Sequence, residues 1–367
     1  SFFTLVLSRG LQGMFGAFIS PVCRLMVVQL FKQRLAEVMA KIVPIFLMGP
    51  LLGPLIGGAI TTMISWRLIF FINIPVGLFT LAIIFLRFPR HQSEVNYRFD
   101  IIGFVILSAA LVSGLFVIET LTVQMVSNLL KIALLIVSIS LFFSYCFYAN
   151  KRQHPIIALD AFRNKSYSYF TVILMTTQFF IGNMGFITPL YVQTQYHYSA
   201  WESGLTLTPI VAGALMSKYL LKYIRDQFDD KRIIISLWIV FIAIQFSMAE
   251  MMLHFNLYIL LLLLFINGFG IGIMMPVISQ NIYGGLSKKL AGDGAIINTA
   301  LRQAMQAFAI SFVVLVLILA SSQIKLDWHT VLPKSSYATL MLVNAIGMIV
   351  TMLLFRRMPK ITTELTA

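Results

Sequence analysis

Apolar runs about 20 residues long, the length that carries an α-helix across roughly 30 Å of hydrocarbon, recur so regularly along this chain that few folds remain open to it. Eleven can be placed, at Phe2–Leu30, Ala36–Ile64, Leu68–Phe88, Ile101–Leu121, Leu129–Tyr148, Ser168–Thr194, Glu202–Leu221, Ile233–Met252, Leu257–Ile282, Ala295–Ala320 and Ala338–Phe355. Hydrocarbon offers the backbone no partner but itself, so spans of this kind are helices or closed barrels, and runs this long are helices. With 59% hydrophobic residues, 11% charged residues and a mean hydropathy of +0.90, the 367 residues are too apolar for a pair of soluble domains. The fold class expected is an all-α polytopic membrane protein.

A net charge of +14 raises the question of nucleic acid, and the placement of the charges answers it: they sit in short connectors between apolar runs, without forming one patch. Of the 27 basic residues, 20 lie in one alternating set of connectors, which includes Lys151, Arg163, Lys165, Lys222, Arg232 and Arg357. Only Arg67, Lys325 and Lys334 occupy the other set. Positive residues stay on the cytoplasmic side, so the C-terminus is expected inside and Ser1 outside. Arg24 and Lys131 stand near span ends, where long cations reach the interface. Arg9 and Arg302 lie deeper, and each needs a polar partner or a wet cavity. Cys23 and Cys146 read as free thiols, and the five histidines lack metal-ligand spacing. No phosphate loop and no pairing of nucleophile with base stands out, so neither an ATP-driven pump nor an enzyme is expected.

One segment breaks the rule for helices. Gly49, Pro50, Gly53, Pro54, Gly57 and Gly58 fall within ten residues of the second apolar run. Gly49, Gly53 and Gly57 recur every fourth residue, which predicts a helix face bare of side chains that another backbone can approach. Pro50 and Pro54 each remove a backbone donor and bend the helix. The chain also matches itself at an offset of 255, with Gly13 over Gly268, Pro21 over Pro276, Arg34 over Lys289 and Leu35-Ala36 over Leu290-Ala291. Such a repeat predicts two related halves. The division expected is residues 1–88 as the last three helices of the first half, 89–165 as a two-helix insert with flanking cytoplasmic loops, and 166–367 as a six-helix half. By the same count three further spans would precede Ser1, for a total of fourteen.

Three stretches carry a resemblance. The glycine–proline cluster resembles the antiporter motif of major facilitator superfamily exporters. Arg9-Gly10-Leu11-Gln12-Gly13 looks like that family's fourth-helix pattern, and Trp66, Arg67, Phe70, Asn73, Pro75 and Gly77 are spaced like its sixth-helix signature. Together they resemble the fourteen-helix drug:proton antiporters of the EmrB/QacA type. The resemblance implies a helical bundle of that superfamily, rocking around a midplane site and exporting drug-like amphipathic compounds against protons. It implies the proton-motive force in place of a cofactor, a multi-pass location in the cell's inner membrane, and a periplasmic adaptor and outer-membrane channel as partners beside substrate, protons and the lipid bilayer. The stretch from Lys218 to Arg232 departs from the family's loop, because Asp229 stands where the family has glycine.

Arg9 and Gln12 are three residues apart and share a helix face, a cation and an amide aimed together at a cavity. Asn298, Arg302 and Gln306 follow at spacings of four and resemble the family's thirteenth helix, as polar lining. Phe179, Phe180, Asn183, Phe186, Asn267, Met274 and Met275 are the remaining candidates for a pocket that takes greasy, flat molecules. Glu119, Glu202, Glu250 and Asp293 stand near span ends, so no proton-carrying acid is visible at the midplane. An exporter of a lipid or of a specific metabolite fits the same residues, and so does a membrane protein that does not transport.

Overall fold

The polar residues that interrupt the apolar runs are where the helices begin and end. In the computed structural model, which describes residues 2–30, 49, 53–87, 100–120, 126–152, 155, 159–284, 288–321 and 332–356, Ser127 accepts the Leu130 N–H and Asn164 the Tyr167 N–H, each starting a helix. Asn256 accepts two N–H groups at once, from Tyr258 at 3.0 Å and Ile259 at 3.2 Å. Ser199 and Glu202 form a reciprocal capping box, with the Ser199 N–H donating to Glu202 Oε2 at 2.8 Å and the Glu202 N–H to Ser199 Oγ at 3.2 Å. The orphan donors of a first helical turn are satisfied this way where the chain leaves water.

Two compact units result, residues 1–50 and 51–367. The first contains α1 (Phe2–Leu30), one unbroken helix over the first expected span. Its Ser8 hydroxyl donates back to the Thr4 carbonyl at 2.7 Å, so that polar side chain is satisfied within the helix.

The second unit holds α2 (53–63), α3 (Leu68–Phe71), α4 (Asn73–Arg87), α5 (Ile101–Thr120) and α6 (Asn128–Lys151), and then α7 (Lys165–Ile181), α8 (Met184–Tyr196), α9 (Ala200–Leu205), α10 (Thr208–Gln227), α11 (Asp230–Leu253), α12 (Leu257–Gly284), α13 (Lys288–Ser321) and α14 (Lys334–Arg356). Nine stretches among the described residues are long and apolar enough to cross a membrane, and they correspond to the third through eleventh expected spans. Of the second expected span only Gly49 and the residues from 53 onward are described. Residues 31–48, Pro50, residues 88–99 and the tail 357–367 lie outside the described residues, and with them much of the basic connector charge.

Two spans read as single helices are broken, one near its middle and one near its start. The sixth, expected at Ser168–Thr194, runs from Lys165 to Tyr196 with a joint at Gly182 and Asn183. The seventh, expected at Glu202–Leu221, runs from Ala200 to Gln227 with a joint at Thr206 and Leu207. All four joint residues keep right-handed helical angles, so each joint shifts the hydrogen-bond ladder without turning the chain back.

Burial is concentrated in α7–α14. Tyr167, Trp238, Phe241, Tyr191, Tyr337, Met248 and Met252 fill the core there, and more than half of the Lys165–Tyr196 span is buried against none of Leu68–Leu86. Glycine sets the tightest pair. Gly268 of α12 lies against Ile210 of α10, Gly213 of α10 against Phe265 and Phe269, and Gly272 against Ala214 and Ser217, so the two backbones touch along several turns. The hairpin α5–α6 has its own polar clasp: Ser138 Oγ donates to the Ala110 carbonyl at 2.7 Å, and at the basic end Tyr148 donates to Asp100 at 2.6 Å while Arg152 donates to Tyr148 at 2.9 Å.

Candidate functional site

The glycine–proline segment enters the structure through α2, and its neighbour is α9. A Cβ on Gly58 would stand 2.5 Å from the carbonyl oxygen of Ala200, and a Cβ on Gly204 would stand 2.6 Å from the carbonyl oxygen of Pro54. Each helix therefore presents a glycine to the other's backbone, four residues apart on both sides. The Trp201 N–H donates to Thr62 Oγ1 at 3.2 Å and ties the crossing one turn further along. Among the described residues a Cβ on Gly53 or Gly57 would meet nothing within 4 Å, so the close approach runs along the Gly58 side of the helix and not along the every-fourth-residue face.

The capping box explains why α9 can take part. It fixes the first turn of α9, and Gln193 Nε2 donates to Ser203 Oγ at 2.8 Å, anchoring that turn to α8. Sequence reasoning passed over Gly204, although Ser199-x-x-Glu202 with glycine two residues further on is a legible signal for a helix start with a bare spot just past its first turn.

In α1, Arg9 Nη1 donates to Gln12 Oε1 at 2.9 Å, so cation and amide occupy one face as their spacing requires. In the second unit the three polar residues of α13 part company. Asn298 is 2% exposed and its Oδ1 accepts from Thr171 of α7 at 3.1 Å, whereas Arg302 and Gln306 are exposed. Gln306 Oε1 lies 3.4 Å from Gln178 Nε2, and the Tyr167 hydroxyl donates to the Gly294 carbonyl at 3.0 Å. Tyr167, Thr171 and Gln178 form a polar ladder from α7 to α13. None was singled out from the sequence, and their only common mark is a polar group on one side of an apolar helix.

Among the pocket candidates, Asn183, Asn267 and Met274 lie inside the packed bundle, and Phe180, Phe186 and Met275 are half-buried against it. Phe179 packs on Phe312 of α13 with ring centroids 5.1 Å apart, while Phe180 covers Gly347 of α14 and its carbonyl lies 3.4 Å from Gln245 Nε2 of α11. The side-chain oxygens of Asn183 and Gln245, and both amide atoms of Asn267 and Asn344, are buried with no partner among the described residues. An unmet buried polar group costs about 1–3 kcal/mol, so these atoms mark places where water, a substrate group or a second arrangement of the helices completes the bonding. The signature residues gather at the start of α3: Arg67 lies over the Trp66 ring at 4.8 Å and Trp66 meets Phe70 edge to face at 6.0 Å. Asn73 opens α4, and Pro75 and Gly77 follow within its first turns. Among the described residues no group of three His, Cys, Asp or Glu is placed to hold a metal, and both cysteines are free.

Residues 1–310 match the family described as the Major Facilitator Superfamily. The chain is 26% identical over 303 residues to a protein of Yersinia pestis (strain Pestoides F) that carries the provisional name multidrug resistance protein MdtD. It has the same identity to the protein of that name from Yersinia pseudotuberculosis serotype O:1b (strain IP 31758). These matches cover 82% of this chain and 64% of the relatives, so the chain spans less than two thirds of their length.

Proposed function

Because this chain belongs to the Major Facilitator Superfamily, whose members are transporters and not enzymes, we propose that it forms part of a proton-coupled secondary exporter of drug-like amphipathic compounds, seated in the inner membrane with its C-terminus in the cytoplasm. The observation that carries this reading is the crossing of α2 and α9, where a segment resembling the antiporter motif meets the six-helix half with no side chains between the backbones. A contact built of two glycines and two carbonyls lets the helices pivot against each other without repacking side chains, as alternating access demands. The multidrug names of the relatives support the substrate class.

In this scheme Arg9 holds a positive charge beside Gln12 and lowers the pKa of any acid brought near it, which couples proton release to substrate movement. The buried amides of Asn183, Asn267 and Asn344 are polar groups that a second access state or a bound substrate satisfies.

Dye transport into inside-out vesicles tests the proposal. With the full-length protein, an imposed proton gradient drives uptake of a lipophilic cationic dye and a protonophore abolishes it. Arg9→Ala inserts normally and loses transport, while Arg9→Lys retains part of it if a point charge suffices. Protonophore-insensitive transport overturns proton coupling, and full transport by Arg9→Ala returns Arg9 to a packing role.

A further inference from the structure

A groove of about 520 Å3 opens at the basic end of α10, lined by Lys218, Leu221, Lys222, Arg225 and Asp226, with Gln280 of α12 as its far wall. Helical spacing places Lys218, Lys222 and Arg225 on one face, at i, i+4 and i+7. Arg225 is fixed in position: it bonds Gln280 and pairs with Asp230 at 3.2 Å, and Asp230 is itself held by Asn281 Nδ2 at 2.6 Å. Lys218 and Lys222 make no ion pair or hydrogen bond among the described residues. The groove thus offers two ammonium groups beside a braced guanidinium, with Asp226 at its edge.

Depth decides what such a groove meets. The span starts at Ala200 behind the Ser199–Glu202 cap, and Lys218 follows 18 residues later, about 27 Å along a helix rising 1.5 Å per residue. The hydrocarbon core is roughly 30 Å thick, so the lysines emerge at the level of the lipid headgroups. Beside the groove, Tyr219 is 88% exposed, Tyr223 61% and Met216 53%. Exposed tyrosines followed by apolar side chains one turn deeper are the profile of a surface in contact with lipid, ring at the interface and chain below.

We propose that this groove binds the headgroup of an anionic phospholipid, its phosphodiester between Lys218 and Lys222 and its acyl chains along Tyr219 and Met216. Basic pockets between membrane helices on the cytoplasmic side suit such headgroups, and the orientation proposed above puts the groove in that leaflet. Because binding is read without transport, its failure leaves the exporter reading standing, and the reverse also holds.

The test compares the protein in nanodiscs of phosphatidylcholine alone with nanodiscs containing a minority of phosphatidylglycerol, reading the melting midpoint and the lipid retained in native mass spectra. Phosphatidylglycerol raises the midpoint and is retained. K218Q/K222Q lowers its affinity about thirtyfold, the loss expected for two cations near an anionic surface. K151Q/K165Q, with the same charge change at exposed positions elsewhere, keeps both effects, and so does the charge-preserving K218R/K222R. Equal behaviour of wild type in the two lipids overturns the proposal, as does K151Q/K165Q matching K218Q/K222Q. Inorganic phosphate raising the midpoint equally in phosphatidylcholine alone assigns the groove to a soluble anion and overturns it as well.

Discussion

A methyl group on Gly58 would stand 2.5 Å from the Ala200 carbonyl oxygen, a separation real side chains do not tolerate. One on Gly53 would meet open space among the described residues. Two substitutions in the same glycine-rich segment therefore have unlike outcomes. Gly58→Leu is expected to cost about 1–3 kcal/mol of stability, the usual penalty for overpacking, and to arrest the movement of α2 against α9. Gly53→Leu is expected to leave the melting midpoint and dye transport near wild type, since among the described residues nothing stands in the way of the new side chain. Equal effects of the two would remove the crossing from the mechanism. The Thr171–Asn298 bond is the second residue-scale case, at 3.1 Å and fully buried. Buried polar pairs between membrane helices couple by about 0.6 kcal/mol on average, so a double-mutant cycle with Thr171→Val and Asn298→Leu should give a coupling of that order. A coupling of zero, with transport lost in Asn298→Leu alone, would favour a role for Asn298 toward substrate.

At the level of elements, α5 and α6 pair by polar and small-residue contacts of their own. A Cβ on Gly114 would lie 3.9 Å from the Cβ of Ser138, a separation that suits a disulfide. With Cys23 and Cys146 replaced by serine, Gly114→Cys combined with Ser138→Cys is expected to cross-link on mild oxidation, read as a mobility shift that reductant reverses. Failure to cross-link would mean that the hairpin pairs in another register. The broken spans belong to this scale too. Gly182 and Asn183 divide α7 from α8, and Phe180, one turn before that joint, bears on Gly347 of α14. Gly347→Ala pushes a methyl group into the Phe180 ring, and the expected result is a lower melting midpoint, relieved by Phe180→Leu.

For the whole molecule the sharpest expectation is orientation, because the 20-to-3 split of connector charges admits one arrangement of alternating spans. Reporter fusions after Lys165 and Arg232 should read cytoplasm, and one after Ser199 should read the opposite side. The structure adds that Ser199 begins a capped helix and Arg232 lies in the first turn of α11, both close to the ends of described spans. Reversal at two of the three sites would defeat the arrangement and, with it, the leaflet assigned to the Lys218–Lys222 groove.

The spans, some of their starting signals and the Arg9–Gln12 pair were legible in the sequence because each depends on residues within one or two turns of each other. A run of 20 apolar residues has few alternatives in hydrocarbon, Ser199-x-x-Glu202 caps whatever helix follows it, and a spacing of three brings two side chains together on any α-helix. Which face of a span turns toward which neighbour was not legible. Gly58 meets Ala200, Thr171 meets Asn298 and Ser138 meets Ala110 across long stretches of chain. Helices such as α5 and α12 spread apolar residues around their whole circumference, and lipid is as apolar as a packed protein neighbour, so composition does not mark the buried face. Backbone approach at glycine and a handful of interhelical hydrogen bonds choose among packings that look alike in sequence, and those contacts exist only once the bundle has formed.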